Sequence, residues 1–277
     1  MSLVDVAQAS VLPQAFAQID WERPWLAELR EVGEPVAARI LRGASVAEAL
    51  NAASRCADFE FVDQHALPPG MAYERFIFEN RRIPTRDSLH DFFNGLIWLH
   101  FPRTKRLLNQ WQAREIAAQG VGAVRGPLRD AITVFDENGA LLFAPQPLRE
   151  ALRHREWRRL GEELRPLWRQ SRLVPVGHAL LEKLVSPRKN ITAHVFLPEG
   201  GVDPGADTNL NLNLNINLNV DADAWMARHF EARAFATKPF NPLPVLGVPG
   251  WWSENENFCF YDDSDVFRSG FQKNIQQ

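Results

Sequence analysis

His90 and Asn94 stand four residues apart, close enough to share one face of a helix, with Asp87 one turn before His90 and Asp91 three residues before Asn94. The surrounding segment is so apolar that these polar groups must be paired. They either tie the helix to a neighbouring backbone or form a functional cleft that includes Asn94, with His90 as acid/base group or metal ligand. His178 follows Val176-Gly177 at a helix start, and His194 falls on the polar side of a strand further on. His90, His178 and His194 together make a candidate three-histidine group for a divalent metal. Their spacing matches neither His-Glu-x-x-His nor a paired-cysteine pattern.

Asp130 is the carboxylate to set beside them, at what reads as a strand entry. It follows Arg125-Gly126-Pro127-Leu128-Arg129, whose arginines Arg125 and Arg129 can clamp an anion next to a carboxylate. A structural ion pair is the competing reading. Asp136 and Glu137 read as ordinary turn formers, and Asp262 and Asp263 are further acids near the carboxyl terminus. Trp251 and Trp252, after Gly250, offer either a stacking platform for a substrate or a clasp lying on the core. No serine sits in a Gly-x-Ser-x-Gly elbow, no glycine-rich loop has phosphate-binding form, and Cys56 has no base nearby in sequence. Serine, cysteine and nucleotide-loop enzymes are therefore disfavoured.

The elements that would position these residues are mostly helical. Residues 24–56 read as helices, with Ser45 and Glu48 at capping-box spacing. Phe59–Val62 reads as a short strand, and Tyr73–Ile83 as a segment closed by Pro84. Ser88 with Asp91 predicts a helix start before Phe92, Phe93, Leu96, Ile97, Trp98 and Leu99, a helix apolar almost all round and so central and buried. Pro102 predicts a second helix, stopped at Gly120 and Gly122. Alternation over Ala131–Phe135, the turn Asp136-Glu137-Asn138-Gly139 and Ala140–Phe143 predict a β-hairpin.

Pro147–Gln170 reads as one basic amphipathic helix, His178–Val185 as a shorter one and Ile191–Leu197 as a strand. Asn alternates with Leu, Ile or Val over residues 209–220, the strand period in a tract that reads as an expanded insertion at about 203–220. Asp221 or Asp223 can cap a helix over Ala224–Phe235, and Lys238–Gly250 reads as an extended surface path. The whole is an α+β, helix-rich single domain over 1–277, with a central buried helix and a small, mostly antiparallel sheet.

Composition narrows the classes further. Hydrophobic residues make up 45% of the 277, enough for a substantial core. No stretch reaches the length of a membrane span, and Met1–Asp20 carries no Lys or Arg, so neither a membrane partner nor secretion is expected. Two cysteines fit a reducing, cytoplasmic setting. Net charge is −3, but residues 75–172 hold 18 Lys and Arg against 11 Asp and Glu, while residues 1–74 and 199–277 each hold 5 against 11. Either acidic ends fold back over the basic middle, or an anion or nucleic-acid surface is present.

Leu89-His90-Asp91-Phe92-Phe93-Asn94, Phe101-Pro102-Arg103-Thr104-Lys105 and Leu108-Asn109 resemble a bacterial family designated domain of unknown function 3025. Arg125–Gly139, Pro242–Trp252, Phe260-Tyr261-Asp262-Asp263 and Val266-Phe267-Arg268 extend the resemblance over roughly residues 25–268, and the Asn/Leu tract departs from it. The resemblance implies no particular activity, substrate or cofactor.

The residues themselves support two expectations. One is a metal- or histidine-dependent hydrolase of a small anionic substrate, with His90, Asn94, Asp130, His178 and His194 catalytic, a divalent metal on the histidines, and Arg125, Arg129, Trp251 and Trp252 binding substrate. The other is a noncatalytic protein that binds nucleic acid or an acidic partner through the basic helix.

Overall fold

The computed structural model describes residues 14–54, 58–120, 126–198 and 218–269, with the backbone alone for 218–221. After helical residues 14–17 and a 3-10 turn at Pro24–Leu26 come helices α1 (Arg30–Leu41) and α2 (Val46–Ala53). The Ser45 capping box opens α2, with Ser45 accepting from the Glu48 amide and the Glu48 carboxylate accepting from the Ser45 amide. Strand β1 (Glu60–Asp63) pairs in parallel with β2 (Arg82–Thr85) across helix α3 (Tyr73–Asn80), with Phe61 opposite Ile83.

Helix α4 (Leu89–His100) is the central rod that its sequence predicts: Phe92, Phe93, Leu96 and Ile97 are fully buried. Ser88 caps it by accepting from the Asp91 amide. The reciprocal half of the box is diverted, because the Asp91 carboxylate instead takes the amide and guanidinium of Arg86. Helix α5 (Pro102–Gln119) begins at Pro102 and ends at Gly120, whose φ of +73° suits glycine. Its start is capped from far away: Asp223 accepts from the amides of Arg103 and Thr104 and from the Thr104 hydroxyl. Asp223 thus caps α5 and not a helix of its own.

The predicted hairpin over 131–143 is not formed. Pro127–Asn138 is helix α6, running directly into strand β3 (Gly139–Phe143). Pro127 occupies the first turn, and Leu128, Ala131, Ile132 and Phe135 recur at helical spacing, the last three fully buried. That stripe outweighs the short alternation. Gly139 serves a close approach here, not a turn with positive φ: it has φ −75°, and a Cβ on it would stand 2.3 Å from the Phe135 carbonyl oxygen.

The basic stretch after Pro147 is likewise not one helix. It divides into α7 (Gln146–His154), α8 (Trp157–Gly161) and a 3-10 turn at Arg165–Gln170, broken where Arg155 adopts left-handed backbone. Strand β4 (Arg172–Pro175), helix α9 (His178–Lys183) and strand β5 (Thr192–Phe196) follow, then α10 (Leu218–His229), α11 (Ala232–Phe235) and β6 (Phe240–Pro244). The sheet order is β4-β3-β5-β6, with β3/β4 and β5/β6 antiparallel and β3/β5 parallel. Of the Asn/Leu tract, residues through 217 lie outside the described ones, and Leu218–Val220 begin helix α10. The C-terminal segment returns over the basic middle, where Arg158 pairs with Asp262 and Arg165 with Glu256. No helix among the described residues is long and apolar enough to cross a membrane.

Candidate metal centre

Five helices, α3, α4, α5, α6 and α9, line a cavity of about 350 Å³, with Tyr73, Asn94, Lys105, Asp136, Glu137 and the two histidines His90 and His178 among its residues. His90 comes from the first turn of α4 and His178 from the first position of α9. What brings them together is backbone proximity. The amides of Val176 and Gly177 both donate to the Gly139 carbonyl, at 3.0 and 2.8 Å. A Cβ on Gly177 would meet the backbone nitrogen of Gly139 at 2.5 Å, so only glycine lets α9 start against the end of α6. That contact sets His178 beside Asp136 and Glu137.

The His90 and His178 rings lie edge to face with their Nε2 atoms 3.0 Å apart. Each Nδ1 faces a carboxylate: that of His90 is 2.8 Å from Glu182 Oε2, and that of His178 is 3.7 Å from Asp136 Oδ2. Glu182 is four residues after His178, so one face of α9 supplies both the second ring and the partner of the first. The Glu137 carboxylate stands 3.9 Å from His178 Nε2. Among the described residues, the donor atoms of His90, Glu137 and His178 lie within 4.8 Å of one another, a spacing that can hold a metal ion.

A chain of polar contacts runs on from this point. Lys105, only 5% exposed, donates to Asp136 and, at 2.9 Å, to Asn94 Oδ1, with its ammonium 5.5 Å from the Trp98 ring centre. Asn94 then donates from Nδ2 to the Tyr73 hydroxyl at 3.1 Å. At the rim, Arg86 is held by Asp91.

The electrostatics follow from burial and these partners. The Glu182 hydrogen bond raises the pKa of His90 in spite of burial. Burial lowers His178 to about 4, so it is neutral at pH 7. For Asp136, burial is the largest influence and would raise its pKa, but the nearby cations outweigh it and the carboxyl stays below its ordinary range. Because His178 is itself neutral, the Lys105 ammonium does most of that work. Burial raises Glu137 and also Tyr73, which stays a neutral hydroxyl.

Glu182 at 2.8 Å places the His90 hydrogen on Nδ1 when that ring is neutral, so the His90 Nε2 lone pair faces His178 Nε2 across 3.0 Å, while the buried His178 Nδ1 has no hydrogen-bond partner among the described residues. A hydrogen on His178 Nε2 can bridge the two nitrogens, and with the other tautomer a metal ion can take both lone pairs. Two nitrogens bound to one ion at about 2.1 Å stand roughly 3.0 to 3.4 Å apart for ordinary coordination angles. The observed spacing fits.

Other candidate residues are placed elsewhere. His194 does not join the group: strand alternation puts it with Thr192 on the side facing another cavity, beside Lys238 and Phe240. Asp130 sits in the first turn of α6, six residues or roughly 9 Å of helix from Asp136, and pairs with Lys238. Arg129 is buried on α6 and does not line the metal cavity, while Arg125, like Cys56, lies outside the described residues. Trp251 and Trp252 form the clasp. Trp251 packs 5.9 Å from Trp25, and Arg23 lies over Trp25 and Trp252.

Lys105, Glu182 and Tyr73 are absent from the sequence-based site, and Asp136 and Glu137 enter it only as turn formers. Glu182 was detectable from its spacing to His178. Asp136 and Glu137 were detectable only by reading α6 as a helix.

A family model described as protein of unknown function, DUF3025, matches residues 59–270. No curated protein and no solved structure matches the chain.

Proposed function

The chain belongs to the DUF3025 family, and we propose that it is a metal-dependent hydrolase in which His90, Glu137 and His178 hold one divalent transition-metal ion. The observation that carries this reading is the convergence of two Nε2 atoms, with the His90 ring backed by the Glu182 carboxylate at Nδ1, on a third donor inside an accessible cavity. Carboxylates behind ligating imidazoles fix the ring orientation and strengthen the nitrogen donors. Two nitrogens and one oxygen suit zinc or a neighbouring divalent ion and leave coordination positions open.

An ion there would polarise a water molecule or a substrate carbonyl or phosphoryl oxygen. The residues around it supply the rest. Glu182 orients the His90 ring, and Asp136 lies 3.7 Å from the His178 Nδ1. Lys105 holds Asp136 ionised and fixes the Asn94 amide by taking its oxygen. Asn94 presents its NH₂ to the Tyr73 oxygen, which leaves the Tyr73 proton available to donate to an oxyanion in the cavity. Both cations lining the cavity, Arg86 and Lys105, are already held by acids, so attraction for an anionic substrate oxygen falls to the metal.

Metal analysis and Co²⁺ titration of the purified protein test this directly. One equivalent should bind, with the ligand-field absorption of a nitrogen- and oxygen-coordinated ion, and His178→Ala should abolish it while Trp252→Ala does not. Absence of binding, or unchanged binding by His178→Ala, would overturn the metal centre. A proton held between the rings by Glu182 would then leave a metal-free acid/base pair as the second reading.

A further inference from the structure

A second cavity, of about 710 Å³, opens beside β6 and shares no lining residue with the metal centre. It is lined by Arg155, Lys238 and Arg268, together with His194, Trp157 and Phe240. We infer that this cavity is a binding site for a phosphorylated small molecule, held by Arg155, Lys238, Arg268 and His194.

Three segments distant in sequence bring these cations together: the end of α7, the turn between α11 and β6, and the coil after Phe267. Converging like charges repel unless something neutralises them. Asp130 pairs with Lys238, but Arg268 Nε finds only the backbone oxygen of Asp265, at 3.1 Å. Among the described residues Arg155 has neither an ion-pair nor a hydrogen-bond partner for its guanidinium. A planar guanidinium without a carboxylate matches a phosphate oxygen pair. Burial lowers the pKa of His194, so its neutral ring can donate a single hydrogen bond without adding charge.

The backbone gives an independent sign. Arg155 and Lys238 have φ of +56° and +53°, and both line this cavity, while Arg81 is the remaining non-glycine residue of that kind among the described ones. Arg155 occupies the position after α7 that usually falls to glycine. Helix-end carbonyls attract cations, but Arg153 and His154 already meet that need in the last turn of α7. A side chain kept in left-handed backbone where glycine would be more stable points to a use for the side chain. The cavity size is that of an ordinary small-molecule site. Trp157 and Phe240 give it apolar walls, and the Trp157 indole is fixed by donation to the Arg268 carbonyl at 2.8 Å.

Calorimetric titration of metal-free protein with inorganic pyrophosphate tests the site. One pyrophosphate should bind per chain. Arg155→Gly should weaken it about tenfold, the loss of one charge-assisted contact. Because glycine suits that backbone, the same variant should raise the Tm of the ligand-free protein by about 2 °C. His178→Ala should bind pyrophosphate like the parent, which separates this site from the metal centre. Absence of binding, wild-type affinity in both Arg155→Gly and Arg268→Ala, loss of binding in His178→Ala, or citrate binding as tightly as pyrophosphate would each overturn the assignment.

Discussion

The cavity between α4, α6 and α9 and the cavity beside β6 handle charge in opposite ways. In the first, Lys105 meets Asp136, Arg86 meets Asp91 and His90 meets Glu182, and all of these groups but Arg86 stand on helices. Glu137 is the exception: no Lys or Arg stands within ion-pair distance of it among the described residues, and the neutral His178 ring is 3.9 Å away. In the second, Arg155 and Arg268 come from segments outside regular elements and have no acid within ion-pair distance among the described residues. A site that compensates its own charges and leaves one carboxylate beside two imidazole nitrogens is arranged for a small cation. One that leaves guanidinium groups uncompensated is arranged for an anion. The acidic lining of one and the basic lining of the other also explain why the net charge of −3 says so little about partners.

The contrast is broken most severely at Lys105. Lys105→Met leaves Asp136 buried without its counter-ion and should cost about 3 to 5 kcal/mol in urea unfolding, whereas the double variant with Asp136→Leu should recover much of that loss. Gly177→Ala comes next. Its Cβ would press on the backbone of Asn138 and Gly139, costing about 1 to 3 kcal/mol and moving His178, so metal affinity in the titration should fall with stability. Glu182→Gln should leave the unfolding midpoint near that of the parent but weaken metal binding by about tenfold to a hundredfold, because only the support of the His90 ring is lost. The smallest effect belongs to Arg158→Ala on the exposed basic stretch, where no measurable change in unfolding or metal binding is expected despite its pairs with Glu162 and Asp262.

Much of the first cavity was legible in the sequence, and the second was not. The buried helix over Leu89–His100, its Ser88 cap and the His90/Asn94 face follow from periodicity, and the fold class follows from the mixture of helical stripes and short alternating runs. His178 could be grouped with His90 on residue type alone, because a separation of 88 residues carries no spacing rule. A hairpin over 131–143 makes Asp136 and Glu137 mere turn formers. Five alternating residues and an Asn-Gly pair imitate a turn, and only the longer stripe reaching back to Leu128 decides for helix. His194 was given to the wrong cavity because residue type shows chemistry, while strand parity shows only that it shares a side with Thr192. The basic stretch after Pro147 looked continuous because arginine is a good helix former. The left-handed residue that ends α7 is an arginine, so no glycine marks the break.

X-ray absorption of the protein carrying one equivalent of Zn²⁺ addresses the metal centre most directly. Two imidazole nitrogens and oxygen donors should appear in the first shell, and Glu137→Gln should keep both imidazoles while loosening the ion. A first shell with one imidazole or none would contradict the claim that His90 and His178 converge to hold a metal.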